Sequence, residues 1–110
     1  MYKKLVKKLD EVFSKWIRQR EEKCFTCGSI QDLQAGHYIS RNCLLLRWDK
    51  CNVHTQCKVC NEYKNGNLEV FKQRLVYKYG LDTVENLERM KFNIVKFTHK
   101  DLKELINKYK

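Results

Sequence analysis

The chain contains no proline and only four glycines. These are the residues that break helices and build flexible linkers, so their scarcity argues against a loop-rich or multi-domain chain and for one domain over 1–110. There is no internal repeat and no low-complexity tract. No run of 18 apolar residues occurs, which leaves no candidate membrane-spanning helix. Met1-Tyr2-Lys3-Lys4 leads into alternating charge rather than an apolar stretch, so no secretory leader is expected. Acid is also scarce: 13 Asp and Glu stand against 23 Lys and Arg, a formal net charge of +10. Such an excess points to a polyanionic partner, because clustered Lys and Arg gain affinity for phosphates by releasing counterions, but it does not separate DNA from RNA.

What the chain does have is cysteine, six in all. Four of them form two CxxC pairs, Cys24-Phe-Thr-Cys27 and Cys57-Lys-Val-Cys60. A two-residue spacer lets a tight turn aim both sulfurs at one ion, and two such pairs suit the tetrahedral sphere of a closed structural Zn²⁺ site. Ordinary buried thiols and a disulfide framework are the weaker readings, and reduced thiols fit a cytoplasmic compartment. Cys43 and Cys51 are expected to be packed or partly exposed.

The pattern of apolar residues predicts a mostly helical α+β chain. Leu5, Leu9, Val12, Phe13, Trp16 and Ile17 recur three or four apart, a helix from about Tyr2 to Glu22 with its stripe turned to a core. Leu33 to Tyr38 and Asn52 to His54 read as short strands, joined by a loop from Asn42 to Lys50 in which Leu44-Leu45-Leu46 is either a buried anchor or a small strand. From about Gln56 a helix is expected to carry Cys57, Cys60, Asn61 and Lys64 and to stop at Asn65-Gly66-Asn67, residues that tolerate positive φ. A helix from Leu68 to Tyr79 should end at Gly80. Asp82-Thr83-Val84-Glu85 reads as a capping box opening the next helix, and Thr98-His99-Lys100-Asp101 as another before Leu102, Leu105, Ile106 and Tyr109. The three parts are then an N-terminal helix (1–22), a zinc-tied core (23–67) and a helical remainder (68–110), with the helices forming a sleeve around a metal-held centre too small to fold by apolar burial alone.

A His at the end of one strand, an Asn before the second and an Asn on the following helix make the set used by nucleases of the HNH kind. Gly36-His37, Asn52 and Cys57-Lys-Val-Cys60-Asn61 resemble the zinc-tied, treble-clef-like ββα-metal nucleases related to endonuclease VII. A longer run is more specific: Asp10-Glu-Val-Phe-Ser-Lys-Trp-Ile-Arg-Gln-Arg20, Leu33-Gln-Ala-Gly-His-Tyr-Ile-Ser-Arg41, Leu46-Arg-Trp-Asp49, Asn52-Val-His-Thr-Gln-Cys57, Gly66-Asn67 and Tyr79-Gly80 resemble the phage NinG/Rap family of recombination proteins. The resemblance covers about Leu5 to the C-terminus. It implies a structure-selective endonuclease acting on branched recombination intermediates such as Holliday junctions and D-loops, in the host cytoplasm of a bacteriophage. The additional cysteine-bearing N-terminal region of many NinG proteins is not in this sequence.

The residue types suit that chemistry. Phosphodiester hydrolysis needs an activated water, and neutral His37 is the side chain to act as general base near pH 7. It also needs a cation on the leaving 3′ oxygen, for which Asn61 offers a hard amide oxygen to Mg²⁺ or Mn²⁺ while the cysteine sulfurs keep zinc. Asn52 is expected to fix the loop through side-chain to backbone hydrogen bonds and so hold His37. Endonuclease VII relatives place a metal-binding Asp just before the base histidine, where this chain has Gly36. His54 and Asp49 are the expected replacements, with Glu62 and Asp32 behind them, and an orienting or phosphate-contacting role is the other reading of His54. Arg41, Arg47 and Lys64 are the expected phosphate grips, while Lys58, Arg18, Arg20 and the tail lysines supply diffuse attraction. Two symmetric nicks at a four-way junction would suit a homodimer paired through the apolar helix faces. A sequence-specific HNH endonuclease of the homing or restriction type, or a zinc-stabilised nucleic-acid-binding module without activity, are the competing classes.

Overall fold

A computed structural model describes all 110 residues. It is a mixed α+β fold, mostly helical, around one two-stranded sheet. Helix α1 (Tyr2–Arg20) is followed by β1 (Leu33–His37), the short helix α2 (Leu44–Arg47) and β2 (Val53–Cys57), then a five-residue π-helical turn (Val59–Tyr63) and helices α3 (Leu68–Tyr79), α4 (Leu81–Met90) and α5 (His99–Tyr109). No helix is long and apolar enough to cross a membrane.

The strands are antiparallel in the register Leu33↔Cys57 to His37↔Val53. Because side chains alternate across a strand, Ala35, His37, Val53 and Thr55 leave one face of the sheet and Gly36, His54 and Gln56 the other. The first face packs on α1. There Leu9, Phe13 and Ile17 of α1, Leu102, Ile106 and Tyr109 of α5, Trp48 and Val53 make the largest apolar cluster. The other face is roofed by Phe25 and by α3, whose Phe71 and Leu75 join Val84 of α4.

Several expected boundaries are corrected by tertiary contacts. Helix α1 ends at Arg20 because Glu21 turns to extended backbone, φ −132°, and bonds β2. The second strand runs on to Cys57 rather than ending at His54, and the helical segment after it is one π turn rather than a helix through Lys64. Its i→i+5 bond, Lys64 N–H to the Val59 carbonyl at 2.9 Å, leaves Lys64 beyond the turn. The predicted capping box at Asp82 does not form: α4 starts at Leu81, directly after Gly80, with no side-chain cap. The box at Thr98 does form, reciprocally with Asp101. Asn65, Gly66 and Asn67 all take positive φ, as does Gly80 after α3. Leu44 to Leu46 is not a strand but most of α2, and Leu46, 0% exposed, is the buried anchor of the connection. Helices cover both faces of the sheet, and the largest apolar core lies between α1, α5 and the sheet rather than at the cysteine cluster. Much of the apolar faces of α1, α3, α4 and α5 expected to pair two copies is buried within one chain, while Leu68 stays exposed.

Candidate active site and cysteine cluster

The sulfurs of Cys24, Cys27, Cys57 and Cys60 all lie within 4.8 Å of one another, with Cys27 and Cys57 at 3.6 Å. Tetrahedral Zn–S bonds of about 2.3 Å place neighbouring sulfurs about 3.8 Å apart, so the cluster fits one zinc ion. Its formation follows from local geometry. Gly28 at φ +82° closes the first CxxC turn, and the Cys60 N–H points at Cys57 Sγ, 3.5 Å away. The electrostatics favour a cation. Burial opposes the Cys24 thiolate, yet the Thr26 hydroxyl and backbone N–H groups bring its pKa down to about 6. At Cys27 the Ser29 N–H favours the thiolate, but burial and the three other sulfurs outweigh it and push the thiol up to about 12. Four thiolates cannot share this space without positive charge among them.

One residue beyond Cys60, Asn61 faces a different space. A cleft of about 410 Å³ is lined by His37, Gln34 and Ala35 of β1, Asn61, Arg41, Arg47 and Trp48 of the strand connection, and Asp10, Glu11, Phe13, Ser14 and Arg18 of α1. His37 and Asn61 are thus brought into one cavity. The His37 Nε2 lies 2.9 Å from the Arg47 carbonyl, which can only accept, so Nε2 carries the proton and Nδ1 is left with a lone pair. Burial lowers the His37 pKa below its ordinary 6.5, and the nearby charges of Arg41 and Arg47 lower it further against the Arg47 carbonyl and Asp10. The ring is neutral at pH 7. Asn61 donates Nδ2 to Gln34 Oε1 at 2.8 Å, so its Oδ1 is the free donor atom.

Asn52 is fully buried and bonds only backbone: its Oδ1 accepts the Ile39 N–H at 2.8 Å, and its Nδ2 donates to the Ile39 and Leu46 carbonyls at 3.0 Å. These bonds tie both ends of the connection that carries Arg47. Arg41 and Arg47 reach the cleft, but each is held by Asp10, at 2.9 and 2.6 Å. Lys64 is exposed and outside the cleft lining.

Two expected metal ligands are elsewhere. His54 occupies the register pair next to His37 and therefore the opposite face, where it is 0% exposed. Its Nδ1–H donates to the Glu21 carboxylate at 2.8 Å, its Nε2 lies 3.2 Å from the Cys51 carbonyl and 3.3 Å from the Tyr79 hydroxyl, and Phe25 stacks on the ring at 4.0 Å. Burial opposes the Glu21 charge, but His54, the Thr55 N–H and Arg20 more than offset it and hold the carboxyl below its usual range. His54 is a satisfied core histidine. Asp49 accepts the Cys51 and Asn52 N–H groups at 2.8 and 3.2 Å, capping the turn into β2 rather than facing the cleft.

Nothing replaces the missing side chain at Gly36 from the same strand. A Cβ there would lie 2.0 Å from Gln56 Oε1. Gln56 is itself buried and committed, donating to the Gly66 carbonyl at 2.7 Å and Thr26 Oγ1 at 3.2 Å. The carboxylates of the cleft come instead from α1, as Asp10 and Glu11. Sequence reasoning missed both, although they are the only acids before Glu21 in a helix otherwise rich in lysine.

A model of the family described as Bacteriophage Lambda NinG protein matches residues 1–110. The chain belongs to the NinG family. Among its relatives are the NinG proteins of Escherichia phage 933W and Salmonella phage P22, each 34% identical over 88 residues, and that of Escherichia phage lambda at 33%. In each case 76% of this chain is matched, against 43–44% of the relative, so the chain spans less than half the length of these NinG proteins. No solved structure matches.

Proposed function

We propose that this chain is a metal-dependent, structure-selective DNA endonuclease that hydrolyses phosphodiesters in branched recombination intermediates. The observation that carries the reading is His37: a neutral imidazole with Nε2–H tied to the Arg47 carbonyl and Nδ1 unengaged, in a cleft shared with Asn61 and two arginines. The antiparallel strands, the cysteine pair and the π turn after them are the features that support reading this centre as a ββα-metal core of the HNH kind. The cysteine cluster would hold a structural zinc and fix where Asn61 points.

In this reading His37 Nδ1 accepts the proton of an attacking water, while Arg41 and Arg47 hold the phosphate against it. The oxygens of the cleft not consumed by other contacts are Asn61 Oδ1 and the Glu11 carboxylate, and these would hold Mg²⁺ or Mn²⁺. The chemistry such an ion would supply there is stabilisation of negative charge on the leaving 3′ oxygen. Branched DNA as substrate rests on the resemblance to recombination proteins and on the net charge of +10. A homodimer would bring two clefts to one junction, and Phe92 and Ile94 are among the exposed apolar side chains that could pair two copies.

The test is His37→Ala with Mg²⁺ and a panel of four-way junctions, flaps and linear duplexes. Junction binding should persist and cleavage fall by about 10² to 10⁴. Undiminished cleavage would remove His37 from the mechanism, and cutting of linear duplex at one sequence as readily as of junctions would transfer the chain to the homing or restriction class.

A further inference from the structure

The Asp10 carboxylate accepts from four donors. Its Oδ1 receives Trp48 Nε1–H at 2.9 Å and Arg47 Nε–H at 3.1 Å, and its Oδ2 receives Arg47 Nη2 at 2.6 Å and Arg41 Nη2 at 2.9 Å. Four bonds fill the acceptor positions of a carboxylate, so Asp10 is not free to hold a metal ion. All four donors belong to the connection between β1 and β2, and two of the residues are consecutive. The carbonyl that receives His37 Nε2–H is the one in the peptide between Arg47 and Trp48. Both side chains flanking that peptide are therefore anchored on a single carboxylate from α1, and the bidentate contact to Arg47 fixes orientation as well as distance.

We propose that Asp10 is a positioning residue for His37: by gripping Arg47 and Trp48 together it aims the peptide carbonyl between them at Nε2 and keeps Nδ1 as the ring's free base. The catalytic half of this inference rests on the reading of His37 as the general base; the geometric half does not. A side chain in helix α1 thus governs the tautomer of a ring in the sheet to which it makes no hydrogen bond. The same carboxylate also tempers the field at the ring. Asp10, Glu11 and Arg18 of α1 and Arg41 and Arg47 of the connection are the charged groups lining its cleft.

The experiment uses the zinc-loaded full chain with ¹⁵N-labelled histidine. In the wild type the His37 nitrogens should show a single Nε2–H tautomer. Asp10→Asn keeps the size of the side chain but turns one arm into a donor facing the arginines, and the His37 signal should become a mixture of tautomers. Junction cleavage should then drop about 10- to 100-fold in kcat, with junction binding within about threefold of wild type. With the carboxylate charge gone, Arg41 and Arg47 act unopposed, and the acid limb of the kcat profile should move to lower pH. Asp10→Glu should recover part of the loss. Arg47→Ala leaves the peptide carbonyl in place but removes its anchor, and should give the same tautomer mixture. It decides the matter if Asp10→Asn does not fold by circular dichroism. A wild-type tautomer signature in the folded variants overturns the proposal. A wild-type chain that never cleaves defeats the nuclease reading alone, because the tautomer comparison still decides the positioning.

Discussion

His37 and His54 lie in neighbouring register pairs of the same two strands, and almost everything about them differs. His37 lines a polar cleft with one ring nitrogen unengaged; His54 is 0% exposed, stacked on Phe25 and bonded through both nitrogens. The period of two in a strand is the cause, since one step along the chain carries a side chain through the sheet. A histidine saturated with partners holds structure together, whereas one with a spare lone pair beside two arginines can do chemistry. Glu21, just past the end of α1, and Asp10 within it repeat the lesson: the first closes the sealed face by bonding His54, and the second tethers the connection over the open one.

The largest expected effect removes both faces at once. Cys57 ends β2 and supplies one of the four sulfurs, so Cys57→Ser or strong chelation should release zinc and unfold the hairpin. Structural zinc supplies about 10 to 16 kcal/mol in small peptides, as much as the whole stability of a typical domain, about 5 to 15 kcal/mol. Metal analysis and the loss of the cooperative melt check it; a chelated protein that melts unchanged would show the cysteine cluster to be dispensable.

Next comes a contrast between the two histidines. His54→Ala should cost about 2 to 4 kcal/mol, because it opens a cavity and removes the shortest hydrogen bond of the Glu21 carboxylate. His37→Ala should cost under about 1 kcal/mol while cutting cleavage by about 10² to 10⁴. Denaturant unfolding of both variants measures this, and equal destabilisation would erase the distinction between an open and a sealed face. Gly36→Ala should fall between them, at about 1 to 3 kcal/mol, since its methyl group must displace the buried Gln56 amide.

The smallest effect is a pH dependence. The folded pKa of His37 lies below its ordinary 6.5, so the unfolded chain binds a proton first as pH falls. Its contribution to stability is intact above about 6.5 and is lost as pH drops through the folded pKa. Cleavage should accordingly persist somewhat below pH 6.5 before its acid limb falls, as a kcat profile against pH would record. A limb centred above 6.5 would mean that burial and the arginines do not set this ring's basicity.

Much of this was legible in the chain itself. Two CxxC pairs, the apolar stripe of α1, the positive-φ trio Asn65 to Asn67 and the Thr98 box are local signals, carried by residues within a turn or two of one another. Asn52 was readable for the same reason, because buried Asn between short strands has few uses other than backbone bonding. His54, Asp49 and Gly36 were not. Nothing near His54 in sequence distinguishes it from a ligand; its partners Glu21, Phe25 and Tyr79 come from 25 to 33 residues away.

Sequence by itself determined the donors: four thiols spaced for one ion, a histidine and an asparagine one strand and one turn from them, and a strongly basic balance. Those follow from covalent spacing and residue chemistry, which no fold alters. Only the tertiary structure decided which histidine faces the cleft, that Gln56 occupies the space beside Gly36, and that Asp10 reaches across from α1 to the two side chains flanking the peptide that bonds His37. Each of those depends on a sheet face and on helix packing set by burial of Leu9, Phe13 and Ile17, and such contacts have no signature in the order of neighbouring residues.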